Sequence, residues 1–418
     1  MPETATTPST TAAPVATAPD STENAALSLQ SGTSADLPVI VGSQHEISVD
    51  ITKLRGDAKV ITLDPGYRNT GSCVSAITFI NPEKGLLAYR GIPIEQLADQ
   101  CSHLEASYLL IYGKQPTQAE LDQFTGLINE HMHVDEGLYK SFEGFSKDAS
   151  PMAMLSASLN CLCSYHPEVL ETDHTKHFDD SAAKLLGKIV TLGAAIYRHR
   201  NGDAAGVKPD ASLDYCSNFL SMMFGNVNPT VAKALDLIFL LHADHEQNCS
   251  ASTCRMVGSS HASLFASVAA AVCALWGPLH GGANVEIMQQ LESITSDPSL
   301  DAETFFAGVK EKKYRLFGFG HPVYKNYDPR ARILKETAKE ILVEMGSEND
   351  PLLKTAQQLE EMALADDYFV SRNLYPNVDF YSATTYHCIG LKLDLFTPMF
   401  ALSRIGGWSG HVIEQLSD

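Results

Sequence analysis

Four short stretches of this chain gather residue types that could work on a carbonyl compound. The first is His242-Ala243-Asp244-His245-Glu246-Gln247-Asn248. If a helix runs through it, His242 and His245 share one face. Such a pair suits a metal or an anion, and ordinary histidines at a helix end leave the same pattern. The HExxH order of a zinc hydrolase is absent. The second is Gly277-Pro278-Leu279-His280-Gly281-Gly282-Ala283-Asn284, a tight turn around one histidine that leads into a helix. The positive end of a helix dipole disfavours a charged imidazole. A neutral one can donate a hydrogen bond to a carbonyl, although a turn histidine satisfied by backbone groups would look the same. The third runs from Gly318 through Gly320, His321, Pro322, Lys325 and Asp328 to Arg330. Arg330 falls in the first turn of the next helix, where free N–H groups and a guanidinium together suit a carboxylate. Lys325 suits a phosphate as a point charge. The fourth, Asn373 to Ser382, sets Asp379 after a proline turn among apolar and aromatic residues. Burial there raises the basicity of a carboxylate, as proton abstraction requires; a lone Asp at a helix start is also an ordinary cap. Taken together, the inventory fits enolisation of a carbon acid followed by attack on a second carbonyl.

The elements that must position these residues are mostly helical. β-Branched residues between Ile47 and Leu63 predict two or three short strands, and Ser75–Ile80 predicts another before Asn81-Pro82. Beyond about Pro93 the pattern is helical. Asn228-Pro229, Asp328-Pro329 and Thr397-Pro398 read as capped helix starts. Leu235–Leu241 predicts a buried helix, and a helix of small residues is expected from about His261 to Leu275. Residues 1–44 are rich in Thr, Ala, Pro and Ser and read as a disordered tail, without the arginines of a presequence or the apolar centre of a secretory signal.

With 418 residues, 44% of them hydrophobic, the chain is long enough for two domains. Its 30 basic side chains face 50 acidic ones, a formal charge of −20 that argues against nucleic acid and anionic lipid as partners. Anionic metabolites would have to be held by a few arginines gathered locally. No apolar run reaches membrane-spanning length. Nine cysteines in a chain this long suggest reduced, mostly buried thiols and a cytoplasmic location.

The four motifs, in this order and spacing, resemble those of citrate synthases, most of all the larger Gram-negative type. Asp64-Pro65-Gly66-Tyr67 and Tyr89-Arg90-Gly91-Ile92-Pro93 extend the match, which runs from about Ile61 to the last residue. The resemblance implies a mainly α, two-domain helical fold with a small N-terminal β region. Its expected parts are a tail (1–44), a β region (45–82), a large domain (83–281 and 391–418) and a small one (282–390). It implies the entry step of the tricarboxylic acid cycle, with acetyl-CoA and oxaloacetate as substrates and no metal or other cofactor. Asp379, His280 and His321 would be catalytic. His245, Asn248, Arg330 and Arg404 would hold oxaloacetate, and Gly318, Gly320 and Lys325 would meet coenzyme A. A bacterial homo-oligomer of at least two copies is implied, and hexamers are frequent in this type. Three departures stand out: Pro322 where relatives often have Arg, Ala383 where Gly is common, and an end at Asp418 before the tail whose arginine reaches a neighbouring subunit. The same residues would serve a 2-methylcitrate synthase acting on propionyl-CoA, and an inactive helical scaffold would explain the absent arginine.

Overall fold

A computed structural model of the chain describes residues 23–67, 69–170 and 178–417. They form two compact units, one ending at Ala76 and one beginning at Ile77. In the first, β1 (Asn24–Ser28), β2 (Ser34–Val41) and β3 (Ile47–Val49) make an antiparallel sheet in that order. Alternation along β2 turns Ala35, Leu37 and Val39 inward, and Ala35 and Leu37 pack with Leu54 and Ala58 of a short helix, Leu54–Ala58. The expected tail through residue 44 is thus corrected: Asn24–Val41 is largely strand, while residues 1–22 lie outside the described part. So small a core leaves little hydrophobic signal in the sequence. Only one short strand forms between Ile47 and Leu63, because Leu54 and Ala58 bury at helical, not alternating, spacing.

The second unit opens with β4 (Thr78–Asn81), β5 (Leu86–Tyr89) and β6 (Ile92–Pro93), again antiparallel in sequence order. Among the described residues, helices follow through Ser417. In the helix Phe178–Arg200 every residue from Ser181 to Ile196 is buried, so it runs through the core instead of lying on it. Its buried Lys188 reaches the carbonyl of His133 at 2.6 Å, and Lys184 meets Glu168 at 2.6 Å and also Asp180. The final helix, Phe396–Ser417, is buried from Ala401 to Val412.

The proline starts form as expected in two places. Asn228 accepts from the N–H groups of Thr230 and Val231, and Asp328 from that of Arg330. At the third, the helix already begins at Phe396. The small-residue helix is Leu264–Leu275, capped by Ser263, with His261 left in a turn at φ +60°. None of the nine cysteines is disulfide-bonded, and Cys216, Cys254 and Cys388 are the buried ones, so the thiols are less buried than expected.

Helices Gln118–His131 and Phe178–Arg200 meet at backbone distance, since a Cβ on Gly187 would stand 2.5 Å from the Ile128 carbonyl oxygen. Gly126, also helical, has open space around it. Gly187→Ala is therefore expected to destabilise by about 1–3 kcal/mol, whereas Gly126→Ala stabilises by about 0.5–1 kcal/mol. Thermal unfolding midpoints moving in opposite directions would bear this out; a common direction would refute the packing described.

Candidate active site

The helix Pro229–His242 stops before the first motif is complete. His242 and His245 therefore do not share a helical face. The His242 ring stays in the core, with Nδ1 donating to the Ile238 carbonyl at 2.8 Å, whereas His245 lies in the loop beyond. The rings of His245 and His321 are 5.5 Å apart, and Tyr324 sits against both at 5.7 and 4.8 Å. Beneath them Arg330, buried in the first turn of Pro329–Glu344, spans Asp328 with two bonds, Nε to Oδ1 at 3.1 Å and Nη2 to Oδ2 at 3.0 Å. Asp328 thus caps the helix and neutralises its arginine, and Nη1 takes no part in the pair.

Backbone pairing brings the third and fourth motifs together. The Gly320 N–H donates to the Tyr375 carbonyl at 2.7 Å, and the Asn377 N–H to that of Gly318 at 2.9 Å. Gly318 and Gly320 have φ of +82° and +73°, and a Cβ on the second would press on Leu374 at 2.9 Å. The chain's own turn thus requires both glycines. Asn377, not Asp379, caps the helix Val378–Cys388, leaving the Asp379 carboxylate free of that duty. Val378 N–H reaches Asp328 Oδ2 at 3.4 Å, so Asp379 is tied to the Arg330 pair. Lys325 is exposed on the loop between, its carbonyl bonded by Asn373.

His280 is held from the helix Cys249–Gly258. The Ser250 N–H donates to its Nε2 at 3.2 Å, and Ser250 Oγ lies 2.8 Å from the same nitrogen. That Oγ also meets Trp408 Nε1 at 3.1 Å and Asn248 Oδ1 at 2.7 Å. The Asn248 side chain is otherwise spent on capping this helix and on the carbonyls of His245 and Glu246, so it shapes the loop. Arg404 is buried, with Nε on the His242 carbonyl at 2.6 Å and its guanidinium 4.6 Å from the Phe400 ring.

The electrostatics divide the site into neutral imidazoles and one basic carboxylate. Burial, then the Arg330 charge, pushes His321 down to about 4; burial and Arg404 do the same for His280. His245 falls well below the usual histidine range for the same reason, with Arg330, His321 and Arg404 all acting on it. The His280 ring precedes its helix, which starts at Ala283, so desolvation and Arg404 take the part expected of the dipole. Asp379 is raised by burial to about 6, against the pull of Arg330 and Arg404. A backbone N–H can only donate, so Nε2 of His280 is an acceptor and its proton sits on Nδ1. His321 is the mirror case: Nδ1 accepts from the N–H groups of Val323 and Tyr324 at 3.0 and 3.2 Å, which leaves the proton on Nε2. Each imidazole keeps one N–H to give.

The sequence marks Asp328 only as a helix cap and Tyr324 only as a member of the third stretch, and it gives Ser250, Trp408 and His411 no part in the site. The spacing of Arg404, Trp408 and His411 on one helical face was the available signal. Among the described residues, no group of three or more His, Cys, Asp or Glu is arranged to hold a metal ion.

Residues 66–418 match the family model of the citrate synthase C-terminal domain. A citrate synthase of Corynebacterium glutamicum is 46% identical over 389 residues, covering 91% of this chain and 88% of that protein. Citrate synthase 1 of Mycobacterium tuberculosis is 44% identical over 388 residues, covering 91% and 89%. Among solved structures, citrate synthase from Pyrobaculum aerophilum superposes with a TM-score of 0.78 at 31% identity, over 97% of this chain and 94% of its own. A Thermoplasma acidophilum citrate synthase, solved with carboxymethyl coenzyme A and oxaloacetate, gives 0.76 at 29% identity over 85% and 93%. Sequence and fold agree, and the chain belongs to the citrate synthase family.

Proposed function

We propose that the side chains described above condense acetyl-CoA with oxaloacetate and hydrolyse the resulting citryl thioester in the following roles. The observation that supports this reading is a carboxylate of raised basicity that feels the same buried arginines, Arg330 and Arg404, as two neutral imidazoles, each with one N–H in reserve. Asp379 takes a proton from the acetyl methyl group, while His280 Nδ1–H donates to the thioester oxygen as charge develops there. The enolic carbon attacks the ketone carbon of oxaloacetate. His321 Nε2–H polarises that ketone and stabilises the new oxygen anion. Arg330 through Nη1, Arg404 through its two terminal nitrogens, and His245 through Nε2, which is buried without a protein partner, hold the substrate's carboxylates. Water then cleaves the citryl thioester, releasing citrate and coenzyme A. Lys325 meets a coenzyme A phosphate, and the Gly318–Gly320 turn lies along the adenine. The chemistry is assigned wholly to side chains, with no metal or cofactor.

His245, His280 and Arg404 come from 83–281 and 391–418, whereas His321, Arg330 and Asp379 come from 282–390. This division suits two domains that close over the substrates and exclude water until condensation is complete. The protein acts in the cytoplasm as a homo-oligomer of at least two copies. Exposed Met256, Trp276 and Leu279, on and after adjoining helices, supply apolar surface for such contact. No described helix is long and apolar enough to cross a membrane.

Asp379→Asn is expected to lower kcat by about 10²- to 10⁴-fold, with the oxaloacetate KM little changed. Free-thiol release from acetyl-CoA and oxaloacetate reads the effect, and a variant within threefold of the parent would remove Asp379 from the role. The ionised fraction of Asp379 grows as pH climbs through about 6, so kcat/KM should rise along that limb and level off above it. His280 and His321, at about 4, stay neutral across the window. A profile flat from pH 5 to 8, on the order of the range in which free histidines titrate, would contradict this. Acetyl-CoA should exceed propionyl-CoA in kcat/KM; the reverse preference would favour a 2-methylcitrate synthase.

A further inference from the structure

The loop from Ala243 to Gln247, which carries His245, has no regular secondary structure, so its shape is imposed by what surrounds it. Asp244 and His411 are both 0% exposed, with His411 Nε2 donating to Asp244 Oδ1 at 3.0 Å. The other carboxylate oxygen accepts the Glu246 N–H at 3.0 Å. Glu246 has φ +54°, a left-handed conformation that disfavours a residue with a side chain, and it directly follows His245. Tyr89 Oη brackets the same aspartate, accepting from its N–H at 3.2 Å and donating to its carbonyl at 3.1 Å. Gln247 Nε2 lies 3.1 Å from His411 Nδ1 and steadies the ring from its other side. Loop and final helix touch at backbone level, for a Cβ on Gly407 would stand 2.3 Å from the Ala243 carbonyl oxygen.

A buried hydrogen-bonded couple of polar side chains contributes little net stability compared with apolar residues of the same volume. What it supplies is a fixed acceptor for a strained turn. Removing the His411 donor leaves a buried carboxylate with an open lone pair, and the cheapest remedy is for Asp244 to turn away and release Glu246. His245 would move with it.

We propose that Asp244 and His411 are a positioning pair for the oxaloacetate site, locking the left-handed turn at Glu246 so that His245 is presented to the substrate carboxylate. The inference rests on the assignment of His245 as a substrate ligand. It concerns the oxaloacetate side alone, since His280 is held separately through Ser250 and Trp408.

The test is steady-state kinetics on the full chain, each substrate varied in turn, for His411→Leu, His411→Gln, Gln247→Leu and His245→Gln. His411→Leu is expected to raise the oxaloacetate KM roughly tenfold or more, while the acetyl-CoA KM moves less than about threefold. His411→Gln, which can return an N–H to Asp244, should recover most of that loss. Gln247→Leu changes a half-buried position and keeps the fold testable if His411→Leu does not fold; it should raise the oxaloacetate KM alone, by about threefold. The proposal is overturned if His245→Gln raises the oxaloacetate KM and the 411 and 247 variants do not. Equal rises in both KM values, or a His411→Gln variant as impaired as His411→Leu, would also overturn it by assigning a merely structural role. An unchanged oxaloacetate KM in His245→Gln would instead defeat the site assignment on which the inference rests.

Discussion

Two guanidinium groups are buried close enough to feel one another, and the rest of the site is arranged around that fact. A positive charge removed from water needs either a counter-charge or directed acceptors. The two arginines are treated differently. Burial works against the charge of Arg330, but the negative charge of Asp328, held by two hydrogen bonds, outweighs it and raises the group above its ordinary value. Arg404 has no carboxylate in hydrogen-bond contact; it leans on the His242 carbonyl and the Phe400 ring, and burial lowers it to about 10 despite Asp244 nearby. An arginine so incompletely compensated suits the substrate carboxylate proposed for it. The same two charges help keep three histidines neutral, and they hold Asp379 below the value burial alone would give it.

The scaffold that bears these charges is economical in its elements. The final helix offers Arg404, Trp408 and His411 along one face, and each reaches a different part of the site: the His242 carbonyl, Ser250 beneath His280, and Asp244 beside His245. From the other side, the pairing of Gly318 and Gly320 with Tyr375 and Asn377 joins the loop of His321 to the helix of Asp379. Asn284, just beyond the His280 turn, donates to Ser382 Oγ at 2.7 Å, so the elements carrying His280 and Asp379 are also linked. Deep burial of the final helix keeps its three contacts in register.

The sequence by itself determined much of this. Caps followed by proline fix helix starts through local chemistry, so Asn228-Pro229 and Asp328-Pro329 were legible without any tertiary knowledge. A long run of apolar and small residues likewise announces a helical core, and the ordered motifs identify the family because each needs particular residue types at fixed spacing. The strands from Asn24 to Val41 were not legible, since a core of only four residues gives almost no pattern to read. Where the first helix of the site ends was also hidden: His242 and His245 look like a helical pair in sequence and are split by a turn in the fold.

Only the tertiary structure decided which groups are charged, which nitrogen of each histidine bears the proton, and which residues merely hold others in place. Those properties belong to surroundings, not to residue types. His280 and His321 carry opposite tautomers because different backbone N–H groups happen to face them. Ser250 and His411, separated from their partners by up to 167 positions, acquire their meaning when the final helix returns to the centre of the fold. Local sequence encodes where the chain can bend and what it can bury. Desolvation and long-range contact, which no local window contains, determine the chemistry of the site.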